Sequence, residues 1–197
     1  MHPVEVTGSR GRVRLREFDA ADVPALHAVY GDPVATRYLS FEPRTSEEVE
    51  LIVKRILADA RAVPRREYAM AVELTHAGGR VEALPMTAEA AVIGMARLAV
   101  GEYRSGQIGF ALVRDRWHQG LGTEAVQALL ELGFGRLGLH RVWGARSPTN
   151  EASARLMTRI GMREEGRIRD HVFVRGAWRD SVVHSILEDE WVARRAS

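Results

Sequence analysis

The residues best suited to chemistry lie in one run, Arg114-Asp115-Arg116-Trp117-His118-Gln119-Gly120-Leu121-Gly122-Thr123-Glu124-Ala125. It follows a strand-like segment and opens an amphipathic helix. The first turn of a helix carries N–H groups without helical partners and a partial positive charge, so it attracts phosphate. Glycines at 120 and 122 let backbone approach such an anion, and Thr123 adds a hydroxyl donor. A plainer reading is that the glycines only shape a tight strand-to-helix turn. A third is a dinucleotide-binding unit, since Gly120, Gly122 and Ala125 satisfy G-x-G-x-x-A. Context argues against the third reading. Arg114–Gln119 separate strand from glycine, whereas that unit leaves its strand almost at once. Arg146 and Ser147 end the next strand where a ribose-binding acid belongs.

The elements that must position this run are legible from periodicity. Val13–Arg16 alternates as a short strand. Asp19–Asp22 caps a helix with Val23, Leu26, Val29 and Tyr30 as its apolar stripe, ended by Gly31-Asp32-Pro33. Thr45-Ser46-Glu47-Glu48 fits a capping box before a second helix bearing Val49, Ile52, Val53, Ile56 and Leu57. Tyr68–Leu74 is a strand, and His76–Ala90, with Gly78-Gly79 and Pro85, is a long loop. Ala91–Val100 and Gln107–Val113 form an antiparallel hairpin. The helix after the glycine run presents Ala125, Val126, Leu129, Leu130, Phe134 and Leu137. Arg141–Ala145 is a strand. Asn150 caps a helix that buries Ser153, Leu156, Met157 and Ile160 and stops at Gly161. Strands around His171–Val174 and Ser181–Leu187 close the chain about a turn near Gly176.

Composition bounds the rest. A chain of 197 residues suits one domain with a sizeable core, and 46% hydrophobic with 27% charged residues is ordinary for a globular protein. No apolar run reaches the roughly 18 residues of a membrane span. Met1–Val6 lacks the features of a secretory leader, so cytoplasm is expected, without a membrane partner. No cysteine is present, which excludes disulfides, zinc thiolates and an enzyme thioester. The histidines show no metal-binding helical spacing, so no metal is expected. Lys54 is the sole lysine, and the arginines are dispersed at a net charge of only +2, against nucleic-acid binding.

Trp117-x-x-Gly120-Leu121-Gly122-Thr123-Glu124-Ala125 resembles the acetyl-CoA pyrophosphate loop of the GNAT superfamily. The likeness is to the branch of the ribosomal-protein N-terminal alanine and serine acetyltransferases. Asn150-x-x-Ser153, leading to Gly161-Met162, is similar to that branch's second signature. Leu15-Arg16 with Asp22, Glu165-Gly166, Asp180, Ser185-Ile186-Leu187 and Glu190-Trp191 match in order. The likeness covers residues 12–191 as a single domain, leaving tails 1–11 and 192–197. Two positions depart from it: Met162 replaces a phenylalanine, and His118 stands where glycine is common.

The resemblance implies an α+β fold, a mixed, mostly antiparallel sheet splayed mid-sheet and flanked by helices. It implies acetyl-CoA as co-substrate, with pantetheine along Ala111, Leu112 and Val113. Its pyrophosphate would lie on backbone N–H groups of His118, Gln119, Gly120, Leu121, Gly122 and Thr123. The acceptor is a primary amine of a peptide N-terminus or a small molecule, attacking the thioester directly. Asn150 and Ser153 would face the pantetheine groove, Ser153 serving the leaving thiolate, and Asn150 equally reads as a plain helix cap. Arg155 would reach a CoA phosphate, and His171 is the candidate base. The tyrosine acid common in the superfamily falls at Met157, which cannot donate a proton. Glu124 favours the helix N-terminus electrostatically. Tyr38–Arg44 and His76–Ala90 would shape the acceptor side. Homodimers are common among such folds. The rival readings are an acyl-CoA-binding sensor without useful catalysis and a longer acyl donor.

Overall fold

The computed structural model describes residues 4–75 and 92–196, with the side chain of residue 196 not included. The loop expected at His76–Ala90 and the strand start expected at Ala91 lie outside the described residues.

Among the described residues, eight strands form one sheet: β1 (Val6–Thr7), β2 (Val13–Glu17), β3 (Glu67–Leu74), β4 (Val92–Val100), β5 (Ser105–Leu112), β6 (Arg141–Arg146), β7 (Arg163–Val174) and β8 (Ala177–Leu187). Their order is β1-β2-β3-β4-β5-β6-β8-β7, antiparallel except for β5 with β6. That parallel pair is short. Ser105, Gly106 and Gln107 face Arg141, Val142 and Trp143, and there the ladder stops. β5 continues to Leu112 against β4, and β6 continues to Arg146 against β8, so the sheet opens between them.

Helices cover both faces. α1 (Val23–Tyr30) and α3 (Ser46–Asp59) bury Leu26, Val49, Val53 and Ile56 against Phe18, Ala69, Ala71 and Met95. α4 (Leu121–Leu130) lies on the opposite face, where Ala125, Val126 and Leu129 meet Val13, Leu15, Met70 and Leu98. β3 therefore alternates alanine toward one layer and Met70 and Val72 toward the other. The capping box expected at Thr45 and Glu48 is present, and Asp19 caps as expected while also pairing reciprocally with Asp22. Asp19 caps a 3-10 turn at Ala20–Asp22, and α1 proper starts at Val23 with Pro24 in its first turn. A four-residue helix, α2 (Pro33–Thr36), follows where only a break was expected; Asp32 accepts from the Val34 N–H at 2.7 Å to start it.

Four features depart from the expected boundaries. Residues 6–7, assigned to a tail, pair with Arg14 and Leu15 because Val6 is apolar and buried there. Residues 192–196 continue α6 (Glu188–Ala196), which docks through Trp191 stacking on Phe134 at 5.2 Å. The glycine-run helix turns into a π-helical segment at Glu131–Arg136, so Leu132, Gly133 and Phe134 are all buried while Leu137 is only half-buried. β7 also starts eight residues before His171, at Arg163, because Arg141 binds Glu165 and anchors that stretch to the sheet.

Inside the sheet, Glu73 is buried and accepts from Arg14 and from Arg16 Nε at 2.8 Å, and Arg16 also grips Asp22 at 2.8 Å. Shared hydrogen bonds with two carboxylates hold the Arg16 guanidinium charged well above its ordinary range. This cluster explains Leu15-Arg16 and Asp22 as a structural signature: it ties β2 and β3 to the start of α1.

Candidate active site

A cleft of about 320 Å³ lies where β5 and β6 part. One wall is the free half of β5, with Phe110, Ala111 and Leu112; others are the starts of α4 and α5 (Glu151–Arg159) and the segment after α2.

The loop before α4 is built to leave donors free. Trp117 tucks beneath it and donates its indole N–H to the Leu112 carbonyl at 2.9 Å. The Gln119 side-chain amide donates to the Asp115 carbonyl at 3.0 Å. His118 and Gly120 are both left-handed, with φ of +60° and +77°. That conformation explains why glycine would suit position 118, and histidine is among the residues that tolerate it. No side chain caps α4. Among the described residues, the backbone N–H groups of residues 118–123 donate to no protein atom, and neither does the Thr123 hydroxyl.

Charge complements these donors. Arg116, Arg155 and Arg159 line the cleft, and no carboxylate does among the described residues. None of the three guanidiniums has a hydrogen bond or ion pair among them. Arg155 and Arg159 stand one turn apart on α5, a like-charge spacing that weakens a helix on its own and favours an anion between them. Arg116 and Arg159 were not singled out from sequence, because dispersed arginines give no local pattern; the one usable signal was the i, i+4 pair on α5.

α5 brings Asn150 and Ser153 to the same cleft. The Asn150 side-chain oxygen accepts from the Ser153 N–H at 3.1 Å, so Asn150 is a helix cap and a lining residue at once. The Ser153 hydroxyl lines the cleft with no protein partner among the described residues. Met157 does not: it is 3% exposed, and its methyl packs so close to Gly144 that a Cβ there would meet it at 3.2 Å.

The remaining expected residues divide. Ala111, Leu112, His118, Gly120, Gly122, Thr123 and Arg155 line the cleft. Val113 does not; its N–H returns to the Ile93 carbonyl at 2.8 Å. Gln119 and Leu121 are not in the lining: the Gln119 side chain braces the loop through the Asp115 carbonyl, and the Leu121 side chain is in the core. His171 is exposed on an irregular stretch of β7 between Ile168 and Val172, outside the cleft lining. The buried histidine is instead His184, 2% exposed, whose Nε2 accepts from Arg146 Nε at 3.0 Å. Burial first and the Arg146 charge second lower its pKa, favouring the neutral imidazole. Arg146 also donates to the Ser147 and Pro148 carbonyls at 3.2 and 3.0 Å, steadying the turn that delivers Asn150. Among the described residues no cluster of histidine, aspartate and glutamate could hold a metal, and no helix is long and apolar enough to cross a membrane.

The opposite wall is held from the β7–β8 hairpin. Arg175 donates to the Thr36 and Arg37 carbonyls at 3.2 and 3.3 Å, and Arg179 to the Tyr38 and Leu39 carbonyls at 3.0 and 3.1 Å. Tyr38 and Leu39 thereby face the cleft, within the segment expected to shape the acceptor side.

A mixed sheet opened at one parallel pair, with an uncapped helix start and three arginines unpaired among the described residues, fits enzymes that transfer acyl groups from coenzyme A. The acetyltransferase (GNAT) domain matches residues 12–163, and the chain belongs to that family of N-acetyltransferases. It is similar to the uncharacterized N-acetyltransferase YoaA of Bacillus subtilis, 27% identical over 90% of this chain and 94% of the relative. It is 26% identical to the ribosomal protein uS5-alanine N-acetyltransferase of Escherichia coli, over 54% of this chain and 57% of that protein. In fold it is similar to Mycobacterium smegmatis RimJ in complex with CoA-disulfide, with a TM-score of 0.72, 22% identity and coverage of 99% and 98% of the two chains.

Proposed function

We propose that this N-acetyltransferase moves the acetyl group of acetyl-CoA to a primary amine, by direct attack of the amine on the thioester in a ternary complex. The observation that carries the reading is the row of unengaged N–H groups at residues 118–123, beside three unpaired arginines. These groups fit the diphosphate and ribose phosphate of coenzyme A. The free half of β5 offers backbone along which the pantetheine amides would lie.

The chain's own contribution to the chemistry is chiefly placement, which supplies much of the barrier reduction in such transfers. Ser153, held by the Asn150 cap, is the hydroxyl available to hydrogen-bond the departing thiolate sulfur. His171 is not brought to the cleft, so in this proposal the ammonium proton passes to solvent water rather than to His171. Tyr38 and Leu39 form the acceptor wall. The likeness to a uS5-alanine acetyltransferase supports a peptide α-amine as acceptor, in the cytoplasm. A homodimer is part of this proposal by analogy of fold alone.

The test is thiol release from acetyl-CoA against Ala- and Ser-initiated peptides, aminoglycosides and polyamines, with Ser153→Ala alongside. The expected result is release with the peptides, and a kcat lowered by about tenfold or more in Ser153→Ala with acetyl-CoA KM little changed. Tight binding of acetyl-CoA without release to any amine would favour the sensor. No binding at all would sink the proposal.

A further inference from the structure

We infer that Arg12, remote in sequence and absent from the cleft lining, is a positioning residue that sets the pyrophosphate loop. The starting point is a buried charge that the chemistry does not use. Glu124, on the first turn of α4, is 2% exposed. A carboxylate at that depth is unfavourable unless its oxygens are occupied. One oxygen accepts from the Arg12 N–H at 2.9 Å and the Val13 N–H at 3.4 Å, and the other from Arg12 Nε at 3.0 Å. Gly8 leaves the room for this: a Cβ there would fall 2.4 Å from Glu124 Cγ. The β1–β2 turn is thus shaped around the carboxylate.

The same guanidinium reaches the loop. Arg12 Nη1 donates to the Gln119 carbonyl at 3.0 Å. A trans peptide is planar, so holding the Gln119 C=O on Arg12 turns the Gly120 N–H the opposite way. Gly120 is at φ +77°, and Arg12 Nη2 lies 3.4 Å from where its Cβ would stand, so the guanidinium also closes the space behind the loop. Glu124 orients Arg12, Arg12 orients one peptide plane, and that plane fixes where the N–H row points. A lysine cannot serve, because only the planar fork bonds the carboxylate and the carbonyl together.

The inference rests on reading the cleft as the acetyl-CoA site, and the experiment separates the two. Binding of CoA and of pantetheine, which lacks the diphosphate and adenosine, is measured on the full chain by calorimetry and NMR titration. The wild type is expected to bind CoA far more tightly than pantetheine; equal binding would overturn the phosphate-loop reading itself. Arg12→Met is expected to weaken CoA by about tenfold and pantetheine by less than about twofold. Arg12→Lys is expected to recover only part of that loss. Arg12→Met with Glu124→Gln removes the charge left unpaired, and its CoA loss is expected to persist at a melting temperature near the wild type's. Equal weakening of both ligands would assign Arg12 a merely structural role and overturn the inference, as would unchanged CoA binding.

Discussion

At the scale of single residues, His118 shows how a local backbone state shapes the loop proposed to hold the pyrophosphate. Its φ of +60° costs a non-glycine residue about 1 kcal/mol, and a β-branched residue more. His118→Gly is therefore expected to keep the melting temperature and CoA affinity near wild type. His118→Val is expected to lose about 1–3 kcal/mol in urea unfolding and to weaken CoA binding measured by calorimetry. The loop's glycines and its helix were legible in sequence because positive φ and free N–H groups have strong residue preferences. Its anchor was not. Glu124 reads in sequence as an acid suited to a helix start, and only its burial beside Arg12 shows that it faces another strand. An imidazole has the right acidity for a base, which points to His171, yet acidity does not say which way a strand residue faces. The buried imidazole, His184, supports the Asn150 turn through Arg146.

At the scale of elements, the β7–β8 hairpin does two separate jobs. Near its base, Glu165 accepts from Arg141 and from Ser185 Oγ at 2.6 Å. These bonds, Arg141 first, lower the Glu165 pKa from 4.5 to about 2. A carboxylate lowered in the folded state contributes stability above its unfolded pKa and loses it as pH falls through the folded one. The expected loss falls between pH 4.5 and about 2, and urea midpoints of Glu165→Gln should depend less on pH across that window. At its tip, Arg175 and Arg179 hold the carbonyls of residues 36–39. Arg175→Met with Arg179→Met is expected to raise the acceptor KM by about threefold to tenfold, through loss of charge-assisted bonds, while leaving the acetyl-CoA KM within twofold; steady-state kinetics at varied donor and acceptor check it. The Asp19 cap, the Thr45 capping box and the apolar stripes of α1, α3 and α4 were legible, being periodic and local. The π segment was not, because its register shift is set by packing around Phe134 and Trp191.

At the scale of the whole molecule, the site exists because two strands pair briefly and then part. β4 must sit tightly against β5 for this to hold. A Cβ on Gly94 would fall 2.2 Å from the Ala111 carbonyl, so Gly94→Ala is expected to cost about 1–3 kcal/mol in urea unfolding and to weaken CoA binding together. The family resemblance carried the α+β class; the residues by themselves determined most of the strand and helix order, the anion-ready turn at Gly120 and Gly122, and the Asn150 helix cap. Those follow from hydrophobic period, turn chemistry and spacing, all properties of neighbours along the chain. Tertiary structure alone decided where β5 and β6 separate, which arginines stay unpaired in the opening, and that Arg12 stands behind the loop. These depend on side chains more than a hundred residues apart, such as Arg12 and Gln119, meeting across packed layers that no local pattern encodes.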